Sequence, residues 1–149
     1  WLHNLVKNTD MDKYKNNDKF VTCFFGEHLL QNNNNKYICI VEAPKTAIIC
    51  SIVNYLPDAV WLASFNCTGL TEEKFDRIGN IYKDKPFILF PDTSPDGHVY
   101  NDWKNFCLKQ KSKNNINIFV DDFLEKNLSK EDKKKGFDLA DYILEKINK

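Results

Sequence analysis

The sequence predicts one α/β domain with a central, mainly parallel four-stranded sheet flanked by helices. Three observations carry that expectation. Four short apolar runs recur along the chain, at residues 37–41, 59–64, 86–90 and 116–120. The runs are continuous rather than alternating, as in strands buried on both faces. Helix-length segments separate them, and strand–helix alternation at this spacing implies parallel neighbours joined by right-handed crossovers.

Residues 1–19 are rich in Asn, Asp and Lys and read as an irregular lead-in. Residues 19–30 (KFVTCFFGEHLL) mix β-formers with a glycine break, which predicts a strand or short hairpin packed on the main body. Residues 31–35 form a polar spacer with the character of an exposed loop. The chain thus divides into an N-terminal extension, residues 1–35, and a main domain, residues 36–149. The first strand leads to Pro44, placed in a first helical turn where its missing N–H is tolerated, and a helix continues over 45–56. After the second strand, Thr71 is the expected N-cap of a helix opening Glu72-Glu73-Lys74. The third strand breaks at Pro91-Asp92, and a helix over 98–111 carries Trp103, Phe106 and Cys107 on one side. The fourth strand precedes a polar segment, 129–135, and an amphipathic helix over 139–147 through Leu139, Ile143, Leu144 and Ile147.

A length of 149 residues suits one domain, and 42% hydrophobic with 28% charged residues suits a folded chain. The 21 basic and 21 acidic residues balance, which excludes a uniformly basic nucleic-acid-coating surface but leaves room for a local patch. Arg77 is the single arginine, so any contact with DNA or nucleotides rests mainly on lysine point charges rather than planar forks. Lysines cluster at 109–113 and 130–135, either as solvated faces or as phosphate-backbone contacts. The five cysteines form no CxxC pair and lack zinc-spaced histidines; most lie in apolar runs, which suits a reducing, cytoplasmic compartment. No run approaches the roughly 20 apolar residues of a membrane span, and no signal peptide is visible. The start at Trp1, without methionine, fits a domain taken from a longer protein.

In an open parallel sheet, ligands gather at the carboxyl ends of the strands. Glu42 follows the first strand, Asp92 the third, and Asp121 and Asp122 the fourth; Asp96, Asp138 and Asp141 fall on the same side. Clustered carboxylates raise one another's pKa unless a cation neutralises them, and Mg²⁺ or Mn²⁺ is the natural partner. The alternative is that these acids are helix caps and solvated loop residues. Lys45, in a first helical turn, is either a phosphate contact or a surface lysine. Asn66 either orients a ligand or caps a turn, and His98 is a lone histidine beside the cluster. Trp61, Trp103 and the phenylalanines read as core residues rather than base-stacking platforms.

Four segments together resemble Toprim domains, the fold shared by primases and topoisomerases. Ile40-Val41-Glu42-Ala43-Pro44-Lys45 is similar to the first motif, and Phe87-Ile88-Leu89-Phe90-Pro91-Asp92 resembles the strand entering the Asp-x-Asp-x-x-Gly motif. Ala63-Ser64-Phe65-Asn66-Cys67-Thr68-Gly69-Leu70 is similar to the second-strand turn, and Gly136-Phe137-Asp138-Leu139-Ala140-Asp141 resembles the Asp-rich opening of the last helix. The likeness spans about residues 36–147 and is closest to an uncharacterised Toprim-like family carried by bacterial mobile elements. It implies Rossmann-like layering and a site in which Glu42 and Asp92 are catalytic and Glu42, Asp92, Asp96 and Asp138 hold metal. Lys45 and Asn66 would contact phosphate or DNA, with Ser94 and Asp141 as secondary candidates. Two departures stand out: Ser94 occupies the second aspartate position, and Ala43 replaces the glycine after the glutamate.

The resulting expectation is a domain of a primase-related protein that binds DNA or nucleotides with divalent metal, alongside other replication or mobilisation domains. Nucleotidyl or phosphoryl transfer is the reaction class implied. Three alternatives stay open: a catalytically decayed DNA- or protein-binding module of the same fold, a Toprim nuclease, and an unrelated α/β domain that converged on strand-end acids. No GxGxxG or GxxxxGKS/T run is present, which argues against dinucleotide and P-loop binding.

Overall fold

The computed structural model describes residues 23–32 and 34–148. Its centre is a four-stranded, all-parallel sheet of β1 (Tyr37–Val41), β2 (Ala59–Ala63), β3 (Phe87–Phe90) and β4 (Ile118–Val120). The strand order is β2-β1-β3-β4. Between the strands run α1 (Pro44–Ile52), α2 (Glu72–Ile81) and α3 (His98–Asn114). Two short helices follow β4, α4 (Phe123–Asn127) and α5 (Lys130–Lys134), and α6 (Leu139–Ile147) closes the described chain.

The continuous apolar runs form strands because both faces of the sheet are covered. Ile38 and Ile40 of β1, Val60 and Leu62 of β2 and Phe87 and Leu89 of β3 turn to one face. There they pack with Phe75 and Ile78 of α2 and Val99, Trp103 and Cys107 of α3. Cys39 and Val41, Trp61 and Ala63, and Phe90 turn to the other, against Ala47 and Cys50 of α1, Leu124 of α4 and Leu139 and Ile143 of α6. Each buried side chain of this size contributes about 1.5–3 kcal/mol, so the two covered faces dominate the stabilisation.

The strand order positions the site. From β1 the chain crosses outward to β2 with α1 on one face, then returns past β1 to β3 with α2 on the other. The connections therefore diverge on either side of the β1–β3 pair, which leaves a crevice at its carboxyl edge. Val41 pairs with both Ala63 and Phe90, so Glu42 lies level with Ser64 and Pro91 at that edge.

Several expectations change in detail. Residues 23–30 form neither a strand nor a hairpin. Phe25 makes a single antiparallel bridge to Ala63, and Glu27–Asn32 is a 3-10 helix that Gly26, at φ 78, introduces. Phe24 and Leu30 are buried in the core, and burying them takes one bridge and a turn rather than a full strand. The lead-in over residues 1–19 lies outside the described residues. Helix α3 runs three residues beyond position 111, ending where Asn115 adopts φ 51. The polar segment after β4 holds α4 and α5, the latter capped by Ser129. No helix among the described residues is long and apolar enough to cross a membrane.

Candidate functional site

The β1–β2 pairing continues past the strands: Ser64 N–H donates to the Val41 carbonyl at 3.0 Å and Phe65 N–H to the Glu42 carbonyl at 2.8 Å. This holds the Glu42 backbone in line with the sheet while its side chain, in a residue only 8% exposed, enters the crevice. The Asp92 N–H donates to Glu42 Oε1 at 3.2 Å, which ties the end of β3 to the end of β1 across the topological switch. Among the described residues nothing donates a hydrogen bond to the Asp92 carboxylate itself. Asp92 also lines a cavity of about 10 Å³, room for one water, together with Thr93, Tyr100, Asp121 and Glu125.

The electrostatics follow from burial beside like charges. Burial raises Glu42 above the usual carboxylate range, and the charge of Asp138 adds to this against the Asp92 N–H. Burial, then the charges of Glu42 and Asp138, push Asp92 up to about 8, with Lys45 opposing. Burial also raises Asp121, whose carboxylate accepts the Phe123 N–H at the start of α4. Asp138 goes the other way. Its burial is outweighed by hydrogen bonds from the Asp141 N–H, the Thr46 hydroxyl and the Lys45 ammonium, and it titrates below the ordinary range.

Those bonds define what Asp138 does. It is the N-cap of α6, with Oδ1 accepting the Asp141 N–H at 2.8 Å and Asp141 Oδ2 accepting the Asp138 N–H at 3.2 Å, a reciprocal capping box. Oδ2 accepts the buried Thr46 hydroxyl at 2.7 Å and pairs with Lys45 Nζ at 3.1 Å. Lys45 also reaches Asp141 Oδ1 at 3.3 Å. The first turn of α1 is thereby clamped to the start of α6. Thr46, fully buried, carries the clamp; only its place one residue after Lys45, in a turn facing another helix, could have marked it in the sequence.

Glu42, Lys45, Asp92, Asp138 and Asp141 are close enough to act on one another's charge. The remaining sequence candidates lie apart from them. Ser94 is buried, and its hydroxyl accepts the Val99 N–H in the first turn of α3. Asp96 is exposed, accepts from the His98 N–H at 3.2 Å and pairs with His98 Nδ1 at 2.7 Å, which raises the imidazole pKa and lowers that of the carboxyl. Asn66 is exposed and accepts the Thr68 hydroxyl within the turn 64–69. Gly69 is required there, because a Cβ would stand 2.1 Å from the Ser64 carbonyl oxygen. Many lysines of the basic stretches are paired within the molecule: Lys109 and Lys113 with Glu72, Lys113 with Asp76, and Lys133 with Glu125.

Among the described residues no group of three or more His, Cys, Asp or Glu side chains is arranged to hold a metal ion. Asp138 is committed to the clamp, which leaves Glu42 Oε2 and the Asp92 carboxylate as the acceptors of this group that no described group donates to. Two carboxylates raised by burial and by acidic neighbours fit a single hard divalent cation that keeps most of its water. They do not make a set for two.

No curated protein and no solved structure matches the chain. The family model described as "Domain of unknown function (DUF6371)" matches residues 1–93, a block that holds Glu42, Lys45, Asn66 and Asp92 and ends before Ser94. The chain is a member of the DUF6371 family.

Proposed function

We propose that the chain is a Toprim-like domain that binds DNA or nucleotides through one divalent cation, held at the carboxyl edge of the sheet by Glu42 and Asp92. The observation that supports this most directly is the pair itself. Two carboxylates follow adjacent strands at the topological switch, both pushed up by burial and by acidic neighbours, and no described group donates to the Asp92 carboxylate. When bound, a Mg²⁺ or Mn²⁺ ion would supply positive charge for phosphate oxygens. The chain's own part is to hold the two carboxylates level, keep Asp138 out of the crevice, and present Lys45 beside it. Cytoplasmic localisation and a place among replication or mobilisation domains belong to the same proposal.

Specific observations favour the binding-module reading over primer synthesis or nicking. Ser94 is spent on α3, Asp96 on His98 and Asp138 on the α1–α6 clamp, so these three candidates supply no carboxylate for a second ion. The test is thermal unfolding with increasing Mn²⁺. At ten times its dissociation constant, an ion bound only by the folded chain adds about 1.4 kcal/mol, or about 3–6 °C in Tm. Wild type should show this rise, and Glu42→Gln and Asp92→Asn should not. A wild-type midpoint unmoved at millimolar Mn²⁺ removes the metal and the proposal with it.

A further inference from the structure

We propose that Phe65 is a stacking platform for a planar aromatic base, so that the ligand of the crevice is a nucleotide engaged by its base as well as its phosphate. The inference rests on the metal-and-phosphate reading above and names the second half of the ligand.

Phe65 stands out in two independent ways. Its φ of 79 puts a bulky aromatic residue in the left-handed region, a conformation that favours glycine and that other residues adopt at a cost. Its side chain is also 54% exposed, on a residue that follows β2 at the carboxyl edge of the sheet. Core packing accounts for neither feature, since a glycine would satisfy the backbone and a polar residue the solvent. The position is fixed from below. The Phe65 N–H donates to the Glu42 carbonyl at 2.8 Å, so the residue's backbone is paired with that of a proposed metal ligand.

The ring is held rather than free. Phe25 meets it edge-on, with centroids 6.4 Å apart and planes at 84°. The Lys74 ammonium lies 5.7 Å from the centroid of Phe65 and 5.9 Å from that of Phe24. Lys74 is 7% exposed and donates to the Ser64 carbonyl at 3.3 Å, with no carboxylate partner among the described residues. A buried cation against a ring draws on its π density, and the solvent-facing part of the ring is left for a second aromatic surface. A base brings a π-face whatever its sequence, and its phosphates would reach the cation site one residue position across the β1–β2 pair.

The experiment compares two probes on the 149-residue chain in Mg²⁺: ATP, and inorganic triphosphate, which carries the same kind of anion without base or sugar. Calorimetry should show ATP binding about tenfold more tightly than triphosphate, the scale of one stacked base. Phe65→Gly should abolish that preference while keeping triphosphate binding and the Mn²⁺-induced rise in Tm, since glycine accepts the backbone conformation. Phe65→Leu, which keeps apolar bulk but offers no ring, should lose the preference in the same way. Equal affinities in wild type, or a preference for ATP that survives in both variants, overturns the platform and leaves the cation site standing. Failure of both probes to bind wild type overturns the metal-and-phosphate reading and the platform together.

Discussion

Asp92→Asn removes one charge from the crevice and, because no described group donates to the Asp92 carboxylate, breaks no protein hydrogen bond made by that carboxylate. The native carboxyl is pushed from 3.8 up to about 8 by burial and by the charges of Glu42 and Asp138. Between those two values the folded chain keeps a proton that the unfolded chain has lost, so folding stability falls as pH rises through the window. One proton corresponds to about 1.4 kcal/mol per pH unit, so wild type loses about 2.7 kcal/mol through this group between about pH 5 and about pH 7. Asparagine does not titrate. Urea unfolding of both proteins at intervals across that range, with metal chelated, should show the variant gaining on wild type by about that amount. Glu42, raised for a similar reason, gives both proteins a common slope of the same sign, and the difference isolates Asp92. Parallel stability curves for the two proteins would show that Asp92 is ionised in the folded state at neutral pH and would refute the electrostatic account of the crevice.

Thr46→Val preserves shape but leaves the buried Asp138 carboxylate short of one donor, and should cost about 1–3 kcal/mol in urea unfolding. A loss within error would mean that the α1–α6 clamp rests on Lys45 and the capping box alone. Lys74→Met removes a buried ammonium that, among the described residues, has one carbonyl bond and no carboxylate, so the Tm should hold or rise. A fall of several degrees would show that its contacts with Ser64 and the two rings outweigh the desolvation of the charge.

What the sequence determined is what local pattern and period can carry. The continuous apolar runs of β1, β2 and β3 specify strands covered on both faces, and the helical segments between them specify parallel crossovers. Thr71 marked the start of α2 correctly, its hydroxyl accepting the Lys74 N–H, because a cap is a contact three residues long. Glu42 and Asp92 were legible as strand-end acids for the same reason. The helices α4 and α5 were missed because at five residues each they hold no period to read, and the segment around Phe24 because one buried side chain on one bridge looks like a strand from its β-formers alone.

The tertiary structure decided how the acids divide. Asp138 and Asp92 are both strand-end or helix-start aspartates in the sequence, yet one accepts from Thr46, Lys45 and the Asp141 N–H while the other feels the charge of Glu42 and has no donor among the described residues. Burial raises both, Glu42, 50 residues away, adds to the rise at Asp92, and donors that include Thr46, 92 residues away, reverse the sign at Asp138. Sequence spacing says nothing about which side chains meet at such separations. Phe65 is the same case. Its residue type suggested core, and the folded chain instead gives it a positive φ and leaves the ring half-exposed, beside Lys74 and Phe25. Strand-end position is a local property that one segment sets; charge state and exposure belong to the packed edge, where every neighbouring element contributes.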